Sequence, residues 1–267
     1  MPKSFIFALA VVFISFAGKG ADAPTGWELV WSDEFDGNSL DRSKWEFEVN
    51  AQGGGNNEKQ YYLTNNARVS GGLLLIEARK EHFTGPEGTR EYTSSRIRTK
   101  RKGDWRYGRF EVRAKLPQGR GMWPAIWMMP TDDHYGGWPN SGEIDIMELV
   151  GHEPNKVHGT LHYGDPVKRS FHKGTNYTLS AGTFADDFHV FRLDWKPAAM
   201  RWYVDEQLYQ TQTDWHTRTN LFPAPFDQRF YLILNLAVGG NWPGNPEATT
   251  AFPQAMAVDY VRVYRKK

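Results

Sequence analysis

Apolar and polar residues alternate along most of the chain with a period of two, and Gly, Asn, Asp and Pro interrupt the alternation at short intervals. Successive side chains of an extended strand point to opposite faces, so this pattern predicts half-buried strands joined by turns. Trp27 to Trp31 alternates and runs into the Asp36-Gly37 turn signal. Strand patterns follow at 45–49, 93–98, 107–116, 122–128, 143–148, 156–163, 188–195, 200–204, 230–238 and 258–264, while Leu73 to Ala78 is a continuous apolar run suited to a sandwich interior. No dozen residues place apolar side chains at helical spacing behind a cap, so helices should be short and few. The turn-rich segments 130–141, 164–182 and 214–227 read as loops over a cleft. The pattern implies an all-β antiparallel sandwich without repeat or linker.

Composition changes this picture at the N-terminus. Lys3 precedes an apolar run from Phe5 to Phe16 that is too short to span a bilayer, with small residues behind it. Residues 1–23 therefore read as a signal peptide and 24–267 as a single domain, with cleavage after Ala17 or Ala23; an uncleaved anchor is the competing reading. The expectation is a secreted, monomeric protein with no membrane contact once the signal is removed. A net charge of +1, with only short basic pieces at 100–102 and 265–267, argues against a nucleic-acid partner. The chain has no cysteine, which excludes disulfides and thiolate metal sites.

Candidate chemistry concentrates in Ser141-Gly142-Glu143-Ile144-Asp145-Ile146-Met147-Glu148-Leu149, where three carboxylates interrupt a run that otherwise reads as a buried strand. Alternation puts Glu143 and Asp145 on one face and sends Glu148 to the other. If Met147 is the extra residue of a β-bulge, Glu148 returns to the face of Glu143, about four strand steps or ~13 Å away between Cα atoms. Two Glu side chains leaning together then leave a gap near the ~5–5.5 Å between carboxyl groups that a retaining glycosidase uses. One glutamate would be nucleophile and the other acid/base, and spacing leaves the two interchangeable. The bland alternative is an amphipathic strand with a solvated acidic face.

The company of this stretch sharpens it. Trp138-Pro139 stands just before it and Gly121-Met122-Trp123-Pro124-Ala125-Ile126-Trp127-Met128-Met129-Pro130 shortly upstream. Together they resemble the laminarinase-like branch of glycoside hydrolase family sixteen, whose members carry G-E-I-D-I-M-E with the bulge residue present. The resemblance implies a concanavalin-like jelly roll with a concave substrate groove. It makes Glu143 the nucleophile, Asp145 its hydrogen-bonding neighbour and Glu148 the acid/base, acting on internal β-1,3 bonds of a β-glucan polysaccharide, with mixed-linkage β-1,3-1,4-glucan as a second substrate. Mutual repulsion among three acids should raise at least one pKa and keep Glu148 protonated near neutral pH.

Eleven Trp exceed what a core needs, and sugar clefts use flat apolar platforms beside a few hydrogen-bonding groups. Trp123 and Trp127 share a strand face, Trp127 suiting either core or groove, while Trp138 and Trp242 are loop-borne. Asn57 and Glu58, with Gln60-Tyr61-Tyr62, resemble the family's G-N-N-E-x-Q-Y-Y segment, whose Asn and Glu reach donor-side sugar hydroxyls. Arg96 resembles the family's S-x-R strand and suits either a sugar contact or a surface salt bridge. His162 matches a position beside the acid/base carboxylate. His158 and His162 with the carboxylates also allow a metal hydrolase, a minor reading. The resemblance implies no catalytic cofactor but a structural calcium held by Glu34, the Gly72 carbonyl and Asp259. The runner-up functions are an algal galactan hydrolase of the same family and a lectin-like jelly roll that binds glycan without cutting it.

Overall fold

The computed structural model describes residues 23–165, 169–217 and 219–267. The expected signal peptide, apart from Ala23, lies outside the described residues. Two antiparallel sheets pack face to face, with strands numbered here in chain order. The outer sheet carries, in spatial order, β18 (Gln207–Gln212), β17 (Ala199–Val204), β16 (His189–Lys196), β11 (Gly108–Lys115), β20 (Gln254–Lys266), β5 (Leu73–Ala78) and β4 (Ala67–Ser70), with β1 (Trp27–Asp33) beside β20. The groove sheet carries β15 (Arg169–Thr178), β14 (Lys156–Asp165), β13 (Glu143–Glu148), β12 (Met122–Pro130), β19 (Phe230–Val238), β9 (Arg96–Arg98) and β2 (Glu46–Phe47), with β10 (Asp104–Trp105) beside β19. Two small pairs complete the described strands: β3 (Gln60–Tyr62) runs parallel to β8 (Tyr92–Ser94), and β6 (Phe83–Gly85) forms a hairpin with β7 (Gly88–Arg90).

Alternation decides which side chains fill the space between the sheets. On β11, Phe110, Val112 and Ala114 are buried in the core, which leaves Arg109, Glu111 and Arg113 on the outer face. On β12, Met122, Ile126 and Met128 are buried, and Trp123, Ala125, Trp127 and Met129 turn to the opposite face, where they line a groove. The central strand β19 is buried along its whole length, as a strand covered on both faces must be.

Two expectations need correction. The segment 164–182, read as loop, contains β15, which pairs with β14 from Lys156↔Thr178 to Asp165↔Arg169. It is an edge strand with mostly exposed residues between His172 and Thr178, so no core selects apolar side chains there and the alternation signal is missing. The single strand expected at 93–98 is divided at Ser95, because β8 pairs with β3 whereas β9 pairs with β19.

Candidate active site

The strand β13 follows directly on a glycine that nothing else can replace without movement. Gly142 has φ +85°, and a Cβ there would lie 2.7 Å from the Phe226 ring. The expected bulge is present. Against β12, Trp127 pairs with Asp145 and Ile126 with Met147, so Ile146, rather than Met147, is the skipped residue. Against β14, Asp145 opposes Thr160 and Glu148 opposes His158, so Ile146 and Met147 together face Gly159. Both bulge residues are buried in the core, and Glu143, Asp145 and Glu148 are all delivered to the groove.

The bulge is buttressed from the outer sheet. Trp202 donates its Nε1–H to the Asp145 carbonyl at 2.8 Å. A Cβ on Gly159 would lie 2.6 Å from both Trp202 Cδ1 and the Tyr209 hydroxyl, so only glycine lets those rings close against the kinked strand.

The carboxylates are held by neutral donors. Trp138 Nε1–H donates to Glu143 Oε2 at 2.8 Å, and Trp123 Nε1–H donates to Glu148 Oε1 at 3.0 Å. His162, opposite Glu143 in the register, places Nε2 3.2 Å from Asp145 Oδ2 and 3.8 Å from Glu143 Oε1. Burial and then the charge of Asp145 push Glu143 up to about 8, against the pull of His162, the Trp138 N–H and Arg96. Burial pushes Asp145 to about 8 as well, against a hydrogen bond with Glu143. Glu148 is driven well above the ordinary carboxylate range by burial and by the charges of Asp145 and Glu143, which Trp123 and His162 only partly offset. Three acids in such proximity titrate as a coupled group and retain protons at neutral pH.

Around them the groove encloses about 890 Å³ and gathers Glu58, Arg96, Trp123, Trp127, Trp138, His162 and Trp242. Trp127 therefore belongs to the groove, its Nε1–H bound to Asn235 Oδ1 at 2.7 Å and its ring under the Arg96 guanidinium at 4.7 Å. Arg96 also forms a half-buried ion pair with Glu48. Glu58 accepts from Gln60 Nε2 at 2.7 Å and from the Tyr62 hydroxyl at 3.2 Å. Trp138 and Trp242 are 52% and 41% exposed, as stacking platforms must be, and Trp242 meets Trp123 edge-on at 5.5 Å.

Asn57 is a correction. It adopts φ 58° and spends its amide on Asn241 Oδ1 at 2.9 Å, tying two rim loops together, while the neighbouring Asn56 lines the groove. Sequence reasoning missed Tyr62, Asn235, His172, Thr175 and Asn176 as lining residues. Asn235 carried a usable signal, a lone amide in the apolar run of β19. The β15 residues carried none, for the reason already given.

The expected calcium ligands do converge in the register: Val258 opposes Leu74 and Val261 opposes Asp33, so Gly72, Glu34 and Asp259 approach one stretch of β20. As placed, however, they do not fit a cation cage. Glu34 takes both oxygens to Arg262, at 2.9 and 2.7 Å, and Asp259 accepts from Arg113 at 2.7 Å. Each carboxylate is already neutralised by a guanidinium. The two histidines of the metal-hydrolase reading also separate, since His158 packs against Trp242 at 5.0 Å and only His162 reaches the carboxylates.

Comparison with known proteins agrees with this geometry. The family model described as "Glycosyl hydrolases family 16" matches residues 59–262. The chain belongs to glycoside hydrolase family 16. This family 16 hydrolase is 46% identical to a protein of Rhodothermus marinus named "Beta-glucanase", over 98% of the chain and 93% of the relative. It is 42% identical to a "Glucan endo-1,3-beta-glucosidase" of Cryptopygus antarcticus, over 97% and 98%. Among solved structures, the catalytic domain of an endo-1,3-beta-glucanase (laminarinase) from Thermotoga petrophila RKU-1 superposes with a TM-score of 0.81 at 43% identity, covering 90% of this chain and 98% of that one.

Proposed function

We propose that the chain is an endo-acting retaining β-glycosidase that hydrolyses internal β-1,3-glucosidic bonds of laminarin-type glucans, with mixed-linkage β-1,3-1,4-glucan as a second substrate. The observation that carries the mechanism is the bulge at Ile146–Met147, which returns Glu148 to the groove beside Glu143. The choice of glucan is supported by the relatives, named for β-glucan and β-1,3-glucan cleavage.

In the first step a Glu143 oxygen attacks the anomeric carbon as the glycosidic C–O bond breaks, and Glu148 gives its proton to the departing oxygen. In the second step Glu148 takes a proton from water, the water oxygen attacks the anomeric carbon, and the bond to Glu143 breaks. The family resemblance orders the two roles. It is supported by the surroundings of Glu148, which drive its pKa well above the ordinary range and suit it to carry the proton, while the Trp138 N–H and His162 partly offset the burial that raises Glu143 to about 8. Asp145, hydrogen-bonded to Glu143, orients it for attack. The flat faces of Trp123, Trp127, Trp138 and Trp242 offer stacking area to successive pyranose rings.

Release of reducing ends from laminarin and curdlan, with oligosaccharides of several lengths appearing early and the β-anomer first, tests this reading. Cleavage of a galactan but no glucan, or binding without cleavage, would overturn it. Export is part of the same proposal, supported by the apolar leader; N-terminal sequencing of protein recovered outside the cell should begin at Gly18 or Pro24.

A further inference from the structure

Three donor atoms, two carboxylate oxygens and one imidazole nitrogen, converge on one point of the groove floor. Glu143, Asp145 and His162 each present one oxygen or nitrogen, and these atoms all lie within 4.8 Å of one another. The pairing of His162 with Glu143 and of Thr160 with Asp145 makes this a property of the backbone, because it stands the imidazole on the same face as both carboxylates. Asp145 is 2% exposed, and its Oδ2 has no well-directed hydrogen bond among the described residues, although His162 Nε2 stands 3.2 Å away. A buried carboxylate oxygen with an unused lone pair is costly unless something positive approaches it.

In a tetrahedral zinc site with ligand bonds of ~2.0–2.1 Å, donor atoms stand about 3.3 Å apart. His162 Nε2 and Asp145 Oδ2 are already at 3.2 Å, and His162 Nε2 and Glu143 Oε1 at 3.8 Å close with a small rotation. We propose that Glu143, Asp145 and His162 form an inhibitory binding site for a divalent d-block cation such as Zn²⁺, with the remaining coordination position open to the groove. Binding occupies the lone pair with which Glu143 would attack the sugar, so the site switches the enzyme off; this blocking role rests on the function proposed above. The imidazole selects Zn²⁺ or Cu²⁺ over Mg²⁺ and Ca²⁺, which require six or more oxygens or several retained waters. Glu148 stands outside the ligand set, bound to Trp123.

The test is equilibrium dialysis of the full chain against Zn²⁺, with Co²⁺ absorption in the visible as a second probe of the ligand field. Wild type should bind one Zn²⁺ in excess Mg²⁺, and Zn²⁺ should inhibit glucan hydrolysis reversibly, with EDTA restoring it. His162→Gln should weaken binding by more than the roughly 10–100-fold that loss of a mere supporting group costs. Should that variant fail to fold, Asp145→Asn removes a different ligand and should weaken binding likewise. Glu148→Gln should bind Zn²⁺ as wild type does while losing polysaccharide hydrolysis, which separates the two readings. No binding to wild type, equal binding by the His162 and Asp145 variants, or binding without inhibition would overturn the proposal. Binding lost on His162→Gln in a protein that cleaves no β-glucan would instead uphold the site and remove the substrate assignment.

Discussion

The two outward faces of this sandwich both carry rows of acidic side chains, and they treat them in opposite ways. On the outer face acids meet guanidinium groups: Asp194 takes two bonds from Arg109 at 2.7 and 2.8 Å, Glu34 two from Arg262, and Asp259 one from Arg113. On the groove sheet, among the described residues, no lysine or arginine pairs with Glu143, Asp145 or Glu148, which receive indole N–H groups and the edge of His162 instead. A guanidinium would lock these carboxylates in their ionised form, whereas an indole orients a carboxyl without fixing its charge. Reactivity here depends on the withheld counter-ion as much as on the acids themselves.

The largest expected effect breaks the groove side of the comparison. Glu143→Ala should lower kcat on every glycoside by about 10⁵-fold. Glu148→Ala should lose about 10²–10⁴-fold on polysaccharide yet still cleave an aryl β-glucoside whose leaving group needs no proton. Azide should rescue the Glu148 variant to the β-azide and the Glu143 variant to the α-azide; the reverse pattern would exchange the two roles.

Arg262→Met addresses the outer face. The pair with Glu34 leaves side-chain exposures of only 9% and 18%, so stranding Glu34 should cost about 3 kcal/mol of stability, read as a lower denaturation midpoint. Activity at low temperature should stay near wild type, because this pair lies in the other sheet. An equally large loss of activity would mean that the two faces are not independent.

A smaller effect comes from the cost of keeping acids unpaired. Glu143 has a folded pKa raised from 4.5 to about 8, so the native state holds this proton more tightly than the unfolded chain. Its contribution is therefore fully present below pH 4.5 and is lost as pH rises toward about 8. Glu143→Gln should melt at a higher temperature than wild type at pH 8, with the advantage shrinking at pH 4. The smallest effect belongs to Trp138→Phe, which keeps a ring but removes the N–H on Glu143. The Glu143 pKa should rise, moving the acidic limb of kcat/KM to higher pH while the alkaline limb, set by Glu148, stays in place.

The amino-acid order by itself determined the all-β class, the position of the acidic strand and the need for a bulge within it. Those features are local: a period of two is written into consecutive residues, and a carboxylate out of phase with its neighbours requires an extra residue to return. The fold decided what depends on partners distant in the chain. Trp202, packed against Gly159, buttresses the kinked strand from the opposite sheet, and Asn241 takes the amide of Asn57 away from the groove. The edge strand β15 has no core to select its side chains, so its His172, Thr175 and Asn176 left no periodic trace although they line the groove. Most of all, the partner an acid receives depends on what the fold brings within a few ångströms of it. Glu34 and Glu143 are the same residue type, and only the tertiary structure places Arg262 against one and Trp138 against the other.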